Sequence, residues 1–322
     1  MSAPRTFSKD TMAEGGRSVR APSKSDVFQK WTGKWNEYWF ARDSGHAFAL
    51  FRILLGIYLL GYFLRYAGTV TLEFSNQGIY NPFRIPDIAL PPVGAGFLFW
   101  FFIALIATFT VGFMTRIVTP VILVLFLYYY FLSIGVRDCA YDRLTILFLG
   151  TSCITDLDRV WSVTALTRPP GAQNVRVWRW GARLIGLQIQ FLYGGAAVYK
   201  MVSPAWHEAE MMHYTFCNMW ATPPAFWYAR LPFPSWVHLA TTVAVVVFEF
   251  LLPFGFAIRR FRLWTAILAT VFHLQITGLL NLPEFLVCVA TYPLFFTGTE
   301  VRNAAARILE WGRKSPSPRP SR

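Results

Sequence analysis

The sequence predicts an all-α fold: a polytopic membrane helical bundle of about eight transmembrane helices with both termini cytoplasmic. Three observations predict it. Hydrophobic residues make up 55% of the 322 positions and charged residues only 15%, against about a quarter charged in soluble domains, so a water-soluble globular enzyme is excluded. Apolar stretches of about 18 or more residues recur, the length that about 30 Å of hydrocarbon asks of a helix. Lysine and arginine, finally, gather in alternate connections between those stretches, as cytoplasmic loops do.

Each segment follows from its composition. Residues 1–25, rich in Ser, Arg, Lys, Ala and Pro, have too few apolar groups to offset the entropy of ordering and are expected to form a disordered cytoplasmic tail. No secretory signal is expected, because about 40 polar residues precede the first apolar run. Residues 26–45 contain "WTGKWNEYWFARD", a mixture of tryptophan, tyrosine and charge suited to a helix lying in the headgroup plane. Residues 46–298 form the expected transmembrane domain, with spans at 46–66, 94–114, 117–136, 142–155, 181–200, 236–258, 261–280 and 283–297; the fourth and eighth are short. Residues 299–322 complete the chain as a basic cytoplasmic tail. With this topology about 23 of the Lys and Arg residues fall inside and about six outside. The net charge of +13 is therefore assigned to cytoplasmic loops, and no nucleic-acid partner is expected.

Ionisable residues inside apolar spans are functional candidates by default, and five stand out: Arg52, Asp142, Lys200, Glu249 and His273. Arg52, about 9 Å into the first span, can snorkel to the headgroups or serve a site. Glu249 in "VVVFEFLLPFGF" and His273 in "ATVFHLQITGLL" fall at about the same depth, 13–18 Å, on consecutive spans. A hydrogen bond between them would lower the cost of burying either, as a helix clasp or as chemistry. Lys200 closes the fifth span at its outer end, with Trp206 just beyond, a pattern that fits a snorkelling anchor in an aromatic belt. Tyr193 lies seven residues earlier on the same face, with Gln190 before it, and this polar stripe makes Lys200 a candidate base as well.

"HEAEMMH" resembles a zinc-protease helix, but that chemistry needs His-Glu-x-x-His with its histidines four apart on one face. His207 and His213 are six apart, about 120° round a helix, so no metal is expected. Cys139 and Cys217 both fall on the expected outer side, where a bridge between two loops is open to oxidation. Cys153 and Cys288 read as small buried residues.

Several patterns then converge. An arginine opens "FRILLGIYLLGYFLRY", followed by "LEFSNQGIYNPF"; "DRVWSVTAL" carries Arg159, Trp161, Ser162 and Val163; "AAVYKMVSPAWHEAEMMHY" ends a helix on lysine; "FEFLLP" and "FHLQITGLLNLPEF" follow in order. From about His46 to Thr297 the chain resembles the HTTM (horizontally transferred transmembrane) domain, the membrane part shared with vitamin K-dependent gamma-carboxylases. The resemblance implies a multi-pass protein of the cell membrane, a bacterial inner membrane, surrounded by lipid. It also implies a reduced quinone, vitamin K-like, as cofactor and Lys200 as the base toward it; Glu249 and His273 remain further acid–base candidates from their place inside the spans. Where the carboxylases use a histidine near the fourth span, this chain offers Tyr141 or Asp142, and the acidic residue that follows Trp-Ser-Val there is Thr164 here. Arg52, Tyr193 and Trp206 are the candidate cofactor-binding residues. The carboxylases continue into a large outer domain that handles peptide, whereas this sequence continues from the last span into "RKSPSPRPSR". Two functions follow: a membrane-embedded, quinol-dependent acid–base enzyme with an outward-facing site, or a non-catalytic membrane partner in the maturation or export of a peptide.

Overall fold

The computed structural model describes residues 24–78, 88–133, 139–169, 176–208 and 211–314. It divides into two units, residues 1–39 and 40–322. The first contributes most of helix α1 (Lys24–Phe40), whose Trp31, Trp35 and Trp39 rings follow one another at 5.5 and 5.7 Å. Their i, i+4 spacing lays them along one face, and Trp31 and Trp35 are exposed, as an interfacial helix requires. The expected tail lies outside the described residues up to residue 23.

The second unit is a helical bundle. Its described elements are β1 (Arg42–Ser44), α2 (His46–Leu64), α3 (Val70–Phe74), α4 (Pro92–Val111), α5 (Thr115–Ser133), α6 (Ala140–Cys153), α7 (Val163–Leu166), β2 (Arg176–Trp178) and α8 (Trp180–Val202). They continue with α9 (Met211–Phe216), α10 (Pro223–Ala229), α11 (Ser235–Ala257), α12 (Arg262–Leu280), α13 (Leu286–Thr291) and α14 (Gly298–Lys314). Five of these helices, α2, α4, α5, α11 and α12, are long and apolar enough to cross a membrane, so this is a multi-pass membrane protein.

The other three expected spans differ, each for a visible reason. α8 is 23 residues long, about 35 Å, but Gln188, Gln190 and Lys200 dilute its apolar character. α6 has 14 residues, about 21 Å, short of the hydrocarbon thickness. The last is short: Pro283–Phe295 is one apolar helical stretch, about 20 Å long, in which the 3-10 turns Pro283–Phe285 and Tyr292–Phe295 flank α13. Residues 299–314, expected as a tail, form most of the amphipathic helix α14.

Helix α2 is the central post, with α4, α13 and α14 packed around it. Its Phe63 meets Phe102 of α4 edge-to-face at 4.8 Å and Phe126 and Tyr129 of α5 at 5.9 and 5.5 Å, a geometry that aromatic quadrupoles favour. α8 and α11 form the other principal pair. Here a small residue, Gly194, lies opposite Pro253, and Ala197 is fully buried, allowing close approach. The chain segments at one end of the bundle are tied by charge. β1 pairs antiparallel with β2, Arg42 opposite Trp178. Asp43 Oδ2 accepts from Gly298 N at 2.8 Å and lies 3.6 Å from Arg179 Nη1. Arg262 donates to the Phe256 and Phe295 carbonyls at 3.0 and 3.1 Å. This end therefore collects the arginines that the sequence pattern placed together.

Candidate functional site

Two buried polar clusters meet along α8. At its end, Lys200 Nζ is ion-paired with Glu249 Oε2 of α11. The register explains the meeting: Pro253 lies against Gly194, so in an antiparallel pair Glu249, one turn before Pro253, comes level with Lys200. The side chains are 15% and 8% exposed, so the lysine turns onto the neighbouring helix instead of extending away as a snorkelling anchor. Trp206, in the 3-10 turn Pro204–His207 that follows α8, places its ring 4.9 Å from Lys200 Nζ, a cation–π contact.

Two turns lower, the hydroxyl of Tyr193 stands 2.6 Å from His273 Nε2 of α12 and 2.6 Å from the Tyr292 hydroxyl. All three residues are buried. One hydroxyl accepts from one neighbour while donating to the other, so the three form a directional chain. Among the described residues His273 Nδ1 is buried with no partner, and the Cys288 thiol lies beside Tyr193.

The expected Glu249–His273 hydrogen bond is not made. Phe248 and Phe272, the residues just before them, have ring centroids 5.0 Å apart, so the two are level. The side chains nevertheless turn to different partners, because α8 supplies a cation to one and a phenol to the other. The expected polar stripe from Tyr193 to Lys200 likewise divides into these two clusters.

Tyr141 and Asp142, neighbours on α6, point to different surroundings, about 100° apart on a helix. Tyr141 packs on Phe285 at 4.1 Å and lies within electrostatic reach of Glu249 and Tyr292, on the side of the two clusters. Asp142 accepts from the Tyr62 hydroxyl at 3.2 Å. It belongs to a separate group in which Arg65 pairs with Glu284 at 2.5 Å and donates to the Tyr66 hydroxyl at 2.9 Å.

Arg52 is fully buried and does not snorkel. Its Nε donates to Thr110 O at 3.4 Å, Nη1 to Leu157 O at 2.8 Å and Nη2 to Trp161 O at 2.5 Å. All three nitrogens are committed to carbonyls, which makes Arg52 a clamp between α4 and the segment that follows α6. The "RVWSVT" residues complete this clamp. Ser162 caps α7 by accepting from Ala165 N at 2.9 Å. Thr164 bridges the α4–α5 turn: its hydroxyl donates to Gly112 O at 2.9 Å and accepts from Met114 N at 3.0 Å.

All four cysteines are free, so the expected Cys139–Cys217 bridge is not present. Burial also pushes the Cys139 thiol up, which disfavours the thiolate that forms disulfides. His207 Nε2 lies 2.6 Å from Met201 O, while the His213 ring lies 5.4 Å from that of His238. Among the described residues no three His, Cys, Asp or Glu side chains gather as a metal site.

Cys288 is buried as the sequence suggests, whereas Tyr292, Arg65 and Glu284 were not among the expected site residues. Tyr292 sits in the aromatic run "TYPLFF", where a lining hydroxyl and a packing ring look alike. Compared with known proteins, residues 40–299 match the family model described as HTTM domain. No curated protein and no solved structure matches the chain.

Proposed function

This chain belongs to the HTTM domain family, and from that premise we propose that it is a membrane-embedded acid–base enzyme acting with a reduced, vitamin K-like quinone. The observation that carries the reading is the Lys200–Glu249 pair, an amine and a carboxylate held together inside an apolar bundle beside Trp206. By the positive-inside rule the arginine-rich end of the bundle faces the cytoplasm, which turns the Lys200 end of α8 outward.

The residues suit a hydroquinone. Glu249 and Lys200 supply an acceptor and a donor, Trp206 supplies an aromatic face, and His273 Nδ1 is a buried nitrogen with no partner among the described residues. The hydroquinone, when bound, would supply the electron pair. Lys200 passes its proton to Glu249 Oε2, and the neutral Nζ takes the proton of a substrate hydroxyl. Tyr193, His273 and Tyr292 hold a second proton path, in which Tyr193 can pass its hydroxyl proton to His273 Nε2 and take one from Tyr292. Tyr141, on the same side, is a further donor. Arg52, with its three nitrogens on backbone carbonyls, positions helices.

Aerobic oxidation of a soluble vitamin K hydroquinone by the protein in proteoliposomes tests the reading. We expect the wild type to exceed empty vesicles and Lys200→Met to fall to their rate; equal rates for the two proteins would contradict it. A second reading, a non-catalytic membrane partner for a peptide, is favoured by one observation: Lys200, Glu249 and Tyr193 all have partners within the protein, as pure helix clasps would. It predicts no hydroquinone oxidation above the vesicle background.

A further inference from the structure

A long groove of about 600 Å³ runs between α12 and α14, with α2 and the Tyr292–Phe296 stretch as its floor. Leu263, Ile267 and Val271 repeat at i, i+4 and i+8 along one wall, and Val301, Ala304 and Ile308 at i, i+3 and i+7 along the other. Two helices thus present apolar faces to one another across a gap that no described side chain fills. The small side chain of Ala304 keeps the gap open. The volume lies within the range of about 300–1,000 Å³ typical of ligand clefts, and the lining is almost wholly apolar, so the occupant must be hydrocarbon along most of its length.

One end of the groove differs. Glu300 lines it there and is paired with Arg259 at 2.9 Å. Thr297 N also donates to Glu300, at 2.8 Å, so this carboxylate is neutralised within the protein. The Arg259 side chain remains 80% exposed, and Arg260 beside it is exposed too. Cationic charge is therefore left over at the mouth, at the arginine-rich end of the bundle where headgroups lie.

We propose that the groove holds one acyl chain of an anionic glycerophospholipid, with the lipid phosphate at Arg259 and Arg260. The chain lies between α12 and α14, screened from bulk lipid by α14, and the arginines select the headgroup. Each basic residue near an anionic headgroup is worth enough to shift occupancy about fivefold.

Native mass spectrometry of the full-length protein, exchanged into mixed micelles with equal phosphatidylglycerol and phosphatidylcholine, tests this. One phosphatidylglycerol should be retained, about fivefold or more over phosphatidylcholine. Ala304→Trp, which fills the groove, should abolish retention of both lipids. Ala306→Trp, about 200° away on the same helix, should retain the lipid and so controls for an intact α14. Arg260→Gln should keep one lipid bound and lower the headgroup preference about fivefold. Equal retention of the two lipids by the wild type would overturn the charge selection. Retention unchanged in Ala304→Trp, or no lipid on the wild type at all, would assign the groove to another occupant, such as a terminal segment of the chain, and would overturn the proposal.

Discussion

The hydroxyl of Tyr193 on α8 stands 2.6 Å from Nε2 of His273 on α12, with Tyr292 at the same distance on its other side. Among the described residues Tyr193 is thus the only side chain hydrogen-bonded to that imidazole, and its Nδ1 has no partner. Tyr193→Phe strands two buried polar groups at once, at about 1–3 kcal/mol each. Tyr292→Phe removes one end of the chain and leaves the Tyr193–His273 bond intact. Thermal unfolding in detergent should therefore rank Tyr193→Phe clearly below Tyr292→Phe, and the reverse order would contradict the arrangement.

Arg52 should behave as a structural clamp. Arg52→Met leaves carbonyls of residues 110, 157 and 161 without their donor and is expected to cost about 3 kcal/mol or more. Arg52→Lys should recover little, because an ammonium lacks the planar fork that reaches several carbonyls. Full recovery of the unfolding midpoint by lysine would show that charge alone suffices there.

Gly112 ends α4 at φ +76, a left-handed conformation that glycine adopts at least cost. A Cβ at this position would also lie 2.5 Å from both Arg52 Nη1 and Ser162 Cβ. Gly112→Ala combines the strain of that conformation with displacement of the clamp, and is expected to destabilise by about 2 kcal/mol or more. A midpoint equal to wild type would mean that the arginine and Ser162 move aside freely.

Glu300, in the first turn of α14 and outside the spans, gives a pH signature. Burial raises its pKa, but hydrogen bonds from the backbone and side chain of Thr297 and the Arg259 guanidinium outweigh burial and hold it below the ordinary value of 4.5. Because the folded value is the lower one, its stabilisation is fully present above pH 4.5 and is lost as pH falls through the folded value. The stability difference between wild type and Glu300→Gln should therefore be constant from neutral pH down to about 5 and shrink below the ordinary carboxylate value. A difference independent of pH would remove the carboxylate from that role.

Much of this was legible in the sequence, and the limits have physical causes. The spans α2, α4, α5, α11 and α12 announce themselves because hydrocarbon thickness imposes a length and a composition. Lys200, Glu249 and His273 stand out because a charge or an imidazole inside an apolar run is costly. Their partners were not legible. Glu249 and His273 are level, as depth counting gives, but helix rotation is set by packing, and α8 supplies a different partner to each. Arg52 was visible as a residue and its role was not, since backbone carbonyls leave no signature in a sequence. Tyr292 was hidden for the opposite reason, in a run where every neighbour is apolar or aromatic.

The central claim is that Lys200 and Glu249 do chemistry and are not only a clasp. Replacing both by apolar residues of similar size separates the two, because a buried ion pair removed as a unit leaves no unpaired charge and is often neutral for stability. The decisive measurement is hydroquinone oxidation by the Lys200→Met/Glu249→Leu double variant in proteoliposomes, read beside its unfolding midpoint. The account predicts a midpoint close to wild type and oxidation no faster than in empty vesicles. A double variant that oxidises hydroquinone at the wild-type rate would contradict it.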